Sequence, residues 1–156
     1  MSATTTLAAD YLMTLHAPIA GAPQRIDETL TIFHSNTGTV EGPRIKGRIL
    51  APTADWLRAM PGGTLRVDAR MSIATDDGAQ IHVQYGGVIA VAPADFARMA
   101  AGETLGVDEM HFVTAPVFQT GDQRYAWLNR TQAIGKAVAL KGGEGGFVRY
   151  ELFAVA

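Results

Sequence analysis

The sequence predicts an all-β protein, a closed or nearly closed antiparallel β-barrel of about eight strands with one or two short helices. Runs of alternating apolar and polar residues recur along the 156 residues and are separated by short turns. The chain has 17 glycines and 7 prolines, the residue types that turns require. A barrel is favoured over a sandwich because closure leaves no edge strand unpaired. Residues 1–6 are predicted to be an unordered tail and residues 7–156 one barrel domain.

Alternation and turn signals place the strands in order along the chain. Apolar residues alternate along the first run, Ile26, Leu30 and Ile32 share one side of the second, and Gly42-Pro43 interrupts the third. The predicted strands are 7–15, 26–34, 39–50, the two arms of a hairpin over 65–91, then 111–118, 124–140 and 147–155.

Two segments are predicted to be short helices. Residues 52–60 have Thr53 as a candidate N-cap, and Pro61-Gly62-Gly63 ends the segment. Residues 93–101 begin with a proline, which is favoured in the first turn of a helix. We expect both helices to connect strands rather than to build the core.

The segment 65–87 is predicted to form a long hairpin, and the candidate site is built on it. Two β-rich arms flank Asp77-Gly78, a pair favoured in two-residue turns. With that turn, Arg70 lies opposite Tyr85 on a face that also carries apolar side chains. A three-residue turn would instead pair Arg70 with Gln84 and move the whole constellation.

Composition and charge exclude several classes of function. The net charge is −2 and no basic block is present, so nucleic-acid binding is not expected. The chain has no cysteine, and no apolar run approaches the length that spans a bilayer. The N-terminus lacks the basic and apolar regions of a secretory signal, so a cytoplasmic location is predicted.

No metal site and no cofactor are predicted. The 4 histidines are scattered and lack the His-x-His or His-Glu-x-x-His spacing of metal ligands. Whether His34, His82 and His111 converge from different strands stays open from the sequence. The glycines of 142–146 lack the lysine and hydroxyl residue of a phosphate-binding loop, so a flexible turn is predicted there.

Several short segments carry a resemblance through their common order and spacing between Gly38 and Tyr150. They are Gly42-Pro43-Arg44-Ile45-Lys46-Gly47, Asp55-Trp56, Asp68-Ala69-Arg70, Thr75-Asp76-Asp77-Gly78-Ala79, Phe112-Val113-Thr114-Ala115-Pro116-Val117-Phe118, Tyr125-Ala126-Trp127-Leu128-Asn129 and Val148-Arg149-Tyr150. Together they resemble a bacterial family, the domain of unknown function 3237 family. The resemblance implies a small all-β barrel. It implies no reaction, because the family is largely uncharacterised.

Asp68, Arg70 and Tyr85 are the candidate catalytic residues. A carboxylic acid inside an apolar barrel has a raised pKa and can move a proton to or from carbon. The Arg70 guanidinium and the Tyr85 hydroxyl can hold a carboxylate or a developing oxyanion. An ion pair on the outer surface of an edge hairpin accounts for Asp68 and Arg70 equally well.

A second set of candidates would form a wall that binds the substrate. Tyr125, Trp127 and Asn129 alternate with small and apolar residues, so in a strand they share one face suited to a planar ligand. Filling of the core accounts for the same aromatic residues. The remaining candidate binding residues are Phe112, Thr114, Asp55 and Trp56.

The leading functional hypothesis is a cofactor-independent lyase or isomerase. Its substrate would be a small oxygenated, partly aromatic or unsaturated molecule bound inside the barrel. One alternative is a non-catalytic barrel that binds a small molecule, and another is an oligomeric structural module. A small molecule is the expected partner, with no nucleic acid and no membrane. Apolar residues on both strand faces are compatible with a homo-oligomer.

Overall fold

A closed barrel of antiparallel strands forms the centre of the structure, a computed structural model that describes residues 5–156. Most of the predicted tail, residues 1–4, lies outside the described residues. The strands are β1 Ala9–Pro18, β2 Gln24–Arg25, β3 Leu30–Ser35, β4 Thr39–Glu41, β5 Lys46–Ala59, β6 Leu65–Thr75, β7 Gln80–Ala90, β8 Thr104–Gly106, β9 His111–Thr114, β10 Val117–Gln119, β11 Ala133–Lys141 and β12 Phe147–Val155. Helix α1 spans Pro93–Ala100, and two 3-10 helices span Val107–Glu109 and Gln123–Arg130.

Eight strands close into a ring in which each neighbouring pair is antiparallel. The order around the ring is β5, β6, β7, β9, β11, β12, β1, β4 and back to β5. Four further strands add to it: β3 pairs with β5, β2 with β3, β8 with β11, and β10 with β7. The predicted all-β barrel is therefore confirmed, and closure is what removes the edges of the ring strands.

The apolar residues that alternate along the β6–β7 hairpin face the barrel interior. The buried residues that alternate along its two arms are Val67, Ala69, Met71 and Ile73 on β6 and Ile81, Val83, Tyr85 and Ile89 on β7, and Ala74 and Thr75 are buried next to the turn. Because successive strand residues point to opposite faces, the intervening residues of β6 lie on the outer face.

The predicted register of this hairpin is wrong by one residue. Arg70 pairs with Gln84, and Ala69 pairs with Tyr85. The Thr75 N–H donates to the Ala79 carbonyl at 2.9 Å. Asp76, Asp77 and Gly78 therefore form a turn of three residues rather than two, with Gly78 at φ +96°. The longer turn moves every partner on β7 by one position.

The predicted helix over residues 52–60 is also wrong, because this segment continues strand β5. It pairs with β3 on one side and with β6 on the other, and the pairing with β6 shifts between Leu50 and Ala54. Thr53 ties this bulge together: its hydroxyl donates to the Leu50 carbonyl at 2.7 Å and accepts from the Ser72 N–H at 3.0 Å. A residue that suits a helix N-cap thus serves a strand irregularity instead.

The predicted strand over 124–140 divides into two elements. Its first part is the 3-10 helix Gln123–Arg130, which the Asp122 carboxylate caps by accepting from the Arg124 N–H at 2.9 Å. Strand β11 begins only at Ala133. The predicted helix at residues 93–101 and the last predicted strand, residues 147–155, correspond to α1 and β12.

Close approach of β7 and β9 requires glycine at position 87. A Cβ atom there would lie 2.5 Å from the Val113 carbonyl oxygen and 2.8 Å from Thr114 Cγ2. We predict that Gly87→Ala lowers the free energy of unfolding by about 1 to 3 kcal/mol, because the strands must separate to admit the methyl group. Urea denaturation followed by circular dichroism measures the change.

Gly121→Ala is the matched control for this substitution. A Cβ atom at Gly121 meets no described atom within 4 Å. Its unfolding free energy should stay within about 0.5 kcal/mol of the unsubstituted protein. Equal stability of the two variants would contradict the close approach of β7 and β9.

Candidate functional site

The barrel encloses a cavity of about 710 Å³ that opens beside helix α1 and the β5–β6 turn. This volume lies within the range of sites that bind drug-sized molecules. The wall is mostly apolar, and its larger apolar side chains include Phe33, Leu57, Met71, Ile89, Phe112 and Val148. Polar side chains from several strands interrupt this apolar wall.

Asp55 is the carboxyl group that reaches the cavity wall from inside the barrel. Strand β5 places it opposite Phe33 on β3 and Ala69 on β6. Its Oδ1 atom accepts a hydrogen bond from the Asp68 N–H at 3.0 Å. The bulge in β5 ends just before Asp55, and at Asp55 the strand pairs with both β3 and β6. This pairing fixes the position of the carboxyl group.

Burial raises the pKa of Asp55 from 3.8 to about 6. Loss of solvation is the largest cause, because burial penalises the charged form. The negative charge of Asp68 adds to the increase, while the hydrogen bond from the Asp68 N–H opposes it. A carboxyl group with such a pKa can both accept and return a proton near neutral pH.

Two phenol groups, Tyr85 and Tyr150, line the same cavity as Asp55. They are 8% and 4% exposed, and their rings meet edge to face at 5.9 Å between centroids. Phe112 packs against Tyr150 in the same manner at 5.3 Å. Burial raises the pKa of both phenols, and the charge of Asp55 raises both further. Both hydroxyls thus stay protonated near neutral pH and can donate hydrogen bonds.

Four other ionisable residues line the cavity, and all are more exposed than Tyr85 and Tyr150. Arg25 and Glu28, beside β2, are exposed, and His34 and Lys141 are half-buried. Neutral hydroxyl residues, among them Thr31, Ser35 and Thr53, complete the polar part of the wall.

Asp68 and Arg70 lie on the outer face of the barrel, away from Tyr85. Their side chains are 46% and 48% exposed and form an ion pair at 3.5 Å, and Arg58 lies 3.8 Å from the same carboxylate. The predicted convergence of these two residues with Tyr85 is wrong, because the three-residue turn places Tyr85 beside Ala69. Exposed ion pairs of this kind contribute little to stability.

Tyr125, Trp127 and Asn129 lie on the 3-10 helix, not on a strand, and serve local structure. The Tyr125 hydroxyl donates to the Asp77 carboxylate at 2.9 Å, and Trp127 packs 3.7 Å from the Arg44 guanidinium. Asn129 exchanges hydrogen bonds with the backbone of Thr120. The cavity wall that the described residues form includes none of the three predicted wall residues.

The other predicted binding residues divide between the cavity and the rest of the barrel. Phe112 and Asp55 line the cavity. Thr114 is 2% exposed and packs where β9 approaches Gly87 and Gly135. Trp56 points away from the cavity, since it follows Asp55 directly in a strand, and Arg70 lies 5.7 Å from its ring.

Sequence reasoning missed Tyr150 and Phe33 as cavity residues. A signal for Tyr150 was available, since it alternates with Val148 and Leu152 in a well-predicted strand. Within residues 5–156, no three His, Cys, Asp or Glu side chains are grouped so as to hold a metal ion. No helix of the same residues is long and apolar enough to cross a membrane.

The fold and cavity define a closed antiparallel barrel whose cavity wall, among the described residues, carries the Asp55 carboxyl group beside the phenols of Tyr85 and Tyr150. The chain belongs to the family described as protein of unknown function (DUF3237), whose model matches residues 5–155. The resemblance seen in the sequence is therefore confirmed.

Relatives of known sequence and structure agree with this assignment. A UPF0311 protein of Rhodopseudomonas palustris (strain TIE-1) is 33% identical over 101 residues, which cover 64% of this chain and 65% of the relative. The match thus spans less than two thirds of the relative's length. A crystal structure of a conserved protein of unknown function from Rhodopseudomonas palustris has a TM-score of 0.85 at 26% identity, covering 98% of this chain and 100% of that one.

A more distant neighbour is an enzyme from Penicillium herquei. Its crystal structure has a TM-score of 0.65 at 21% identity and covers 100% of this chain and 99% of that one. At this level of identity the likeness shows the fold alone.

The raised pKa of Asp55 predicts how its substitution changes stability with pH. The folded protein binds the carboxyl proton of Asp55 more tightly than the unfolded chain does. The contribution of this proton to the free energy of unfolding is therefore complete below about pH 4 and is lost as pH rises through about 6. We predict that Asp55→Asn, which stays neutral, raises the free energy of unfolding by roughly 1 to 3 kcal/mol at about pH 8 and not at about pH 4. Urea denaturation at both pH values measures this difference.

The exposed residue Asp10 supplies the control. Asp10→Asn should change the unfolding free energy by less than about 0.5 kcal/mol at both pH values. If Asp55→Asn gave the same small effect at about pH 8, Asp55 would not be the buried carboxyl group described above.

Proposed function

We propose that the protein is an enzyme of the lyase or isomerase type. It moves a proton to or from a carbon atom of a small oxygenated, partly aromatic or unsaturated molecule held in the barrel. The observation that supports this proposal is Asp55, a carboxyl group with a pKa of about 6 in an apolar cavity that also contains the Tyr85 and Tyr150 hydroxyls.

Each of these groups has a role in the proposed reaction. The Asp55 carboxylate accepts a proton from carbon beside a carbonyl group, and the electron pair of the broken C–H bond forms an enolate. The Tyr85 and Tyr150 hydroxyls donate hydrogen bonds to the enolate oxygen, where negative charge develops. In an isomerase the Asp55 carboxylic acid then returns the proton to another carbon of the substrate. In a lyase the enolate expels a leaving group, which takes the proton from Asp55 as its bond to carbon breaks, so the carboxylate is restored. The chain's own residues supply every group in this sequence, so no cofactor is required.

The role given to Asp68 by the sequence passes to Asp55 in this proposal. Asp55 lies on β5 and Asp68 lies on the neighbouring strand β6. Asp55 faces the cavity, whereas the side chain of Asp68 is 46% exposed and lies near the guanidinium groups of Arg58 and Arg70. An enzyme from Penicillium herquei has a similar fold, which is compatible with catalysis in a barrel of this kind. Fold similarity alone does not define an activity.

A non-catalytic barrel that binds a small molecule is the second candidate. The size and apolar wall of the cavity favour it, because they would hold a ligand whether or not Asp55 reacts. A cytoplasmic location and a homo-oligomeric state stay predictions from the sequence.

Proton exchange at carbon tests the catalytic proposal. A panel of aryl ketones that includes 1-tetralone is incubated with the protein in D2O, and loss of the protons beside the carbonyl is followed by NMR. We expect acceleration by the protein that rises with pH through about 6 and then levels off, because the carboxylate of Asp55 is the active form.

Variants separate the roles of the cavity residues in this assay. Asp55→Asn should lower the rate at least about 100-fold, and Tyr85→Phe roughly 10- to 100-fold, because a base and an oxyanion donor are lost. Bound ketone without accelerated exchange would favour the binding barrel. A rate lost in Asp68→Asn and kept in Asp55→Asn would return the catalytic role to Asp68.

A further inference from the structure

The ionisable groups of the cavity are separated by depth. Tyr85 and Tyr150 are almost fully buried. The charge of Asp55, which lines the same cavity, raises the pKa of both phenols. The cations of the wall, Arg25 and Lys141, lie on β2 and at the end of β11, and they are exposed and half-buried, respectively.

At the deep end of the cavity, around Tyr85 and Tyr150, no lysine or arginine is among the described lining residues that are as deeply buried as the two phenols. Within residues 5–156, no lysine or arginine is among the charges that shift the pKa of Asp55, Tyr85 or Tyr150. The charge that acts on both phenols is that of Asp55, whereas the Asp68 carboxylate is paired with Arg58 and Arg70 on the outer face. A ligand carboxylate or phosphate placed at this end would lose its hydration and meet a carboxylate without a cation to balance either charge.

The phenols of Tyr85 and Tyr150, by contrast, favour a ligand with an uncharged hydrogen-bond acceptor. Each carries a proton that it can donate, and a carbonyl or phenol oxygen of a ligand can accept it. The surrounding wall is apolar, with the rings of Phe33 and Phe112 and the aliphatic side chains of Met71 and Ile89. Its volume of about 710 Å³ exceeds what a single small ring would fill.

We infer that the substrate of this site is an uncharged, mainly apolar molecule whose carbonyl or phenol oxygen lies at Tyr85 and Tyr150, and that small organic acids are rejected at that end. This inference rests on the proposed function for the position of the reacting oxygen, and it adds the substrate class. The distribution of charge inside the barrel is the property that selects the ligand.

A pair of ligands with one ring system tests the inference. The ketone 2-acetonaphthone and the acid 2-naphthoic acid differ in one substituent, a methyl ketone against a carboxylate. Isothermal titration calorimetry at about pH 8, where Asp55 is ionised, compares their affinities. We expect the ketone to bind at least about 10-fold more tightly than the acid, because only the acid meets the Asp55 charge.

Removal of the Asp55 charge should narrow this difference. In Asp55→Asn the affinity ratio of ketone to acid should fall at least about 10-fold, and Asp55→Ser should give the same direction if the first variant folds poorly. The control Asp10→Asn, an exposed carboxylate on β1, should leave the ratio unchanged. Circular dichroism of each variant verifies that the barrel is intact.

The outcomes distinguish this inference from the proposed function. The inference is overturned if the acid binds as tightly as the ketone, if the ratio is the same in Asp55→Asn, or if the ketone shows no saturable binding. Deuterium exchange of the methyl group of bound 2-acetonaphthone is measured in parallel. Preference for the ketone without exchange would refute the catalytic proposal and leave the ligand class supported. Exchange together with tighter binding of the acid would support the catalytic proposal and refute the inferred ligand class.

Discussion

The register of the β6–β7 hairpin determines which polar residues enter the barrel. Hydrogen bonds between Thr75 and Ala79 close the turn around three residues, and this choice aligns the apolar positions of both arms on one face. A two-residue turn would have set the apolar residues of one arm against the polar residues of the other. Burial of two aligned apolar faces therefore outweighs the local preference of Asp77-Gly78 for a short turn.

The consequences of this register extend across the candidate site. Asp68 and Arg70 stay outside as an exposed ion pair, while Tyr85 reaches the interior beside Tyr150. The backbone of Asp68 still matters to the cavity, because its N–H holds the Asp55 carboxyl group at 3.0 Å. One residue thus orients the buried acid through its main chain and balances external cations through its side chain.

Much of the fold could be predicted from the sequence, but less of the site. Alternation identifies barrel strands well, as residues 147–155 show, and segment order identifies the family. Local propensity misleads where tertiary pairing decides: Thr53 resembles a helix cap but ties a bulge, and residues 123–130 alternate like a strand but wind into a 3-10 helix. Asp55 was recognised as a candidate binding residue, but the raised pKa of its carboxyl group depends on burial, which cannot be seen without the folded chain.

Strand β5 has different partners on one side along its length. Its first residues pair with β4, which completes the ring, and its later residues pair with β3, which lies outside the ring and carries β2. The β2–β3 hairpin nevertheless supplies part of the cavity wall, including Phe33 and Arg25. The closed ring and part of the cavity wall thus belong to different strands. A change in the β2–β3 hairpin can therefore reshape part of the cavity wall while every strand pair of the closed ring stays in place.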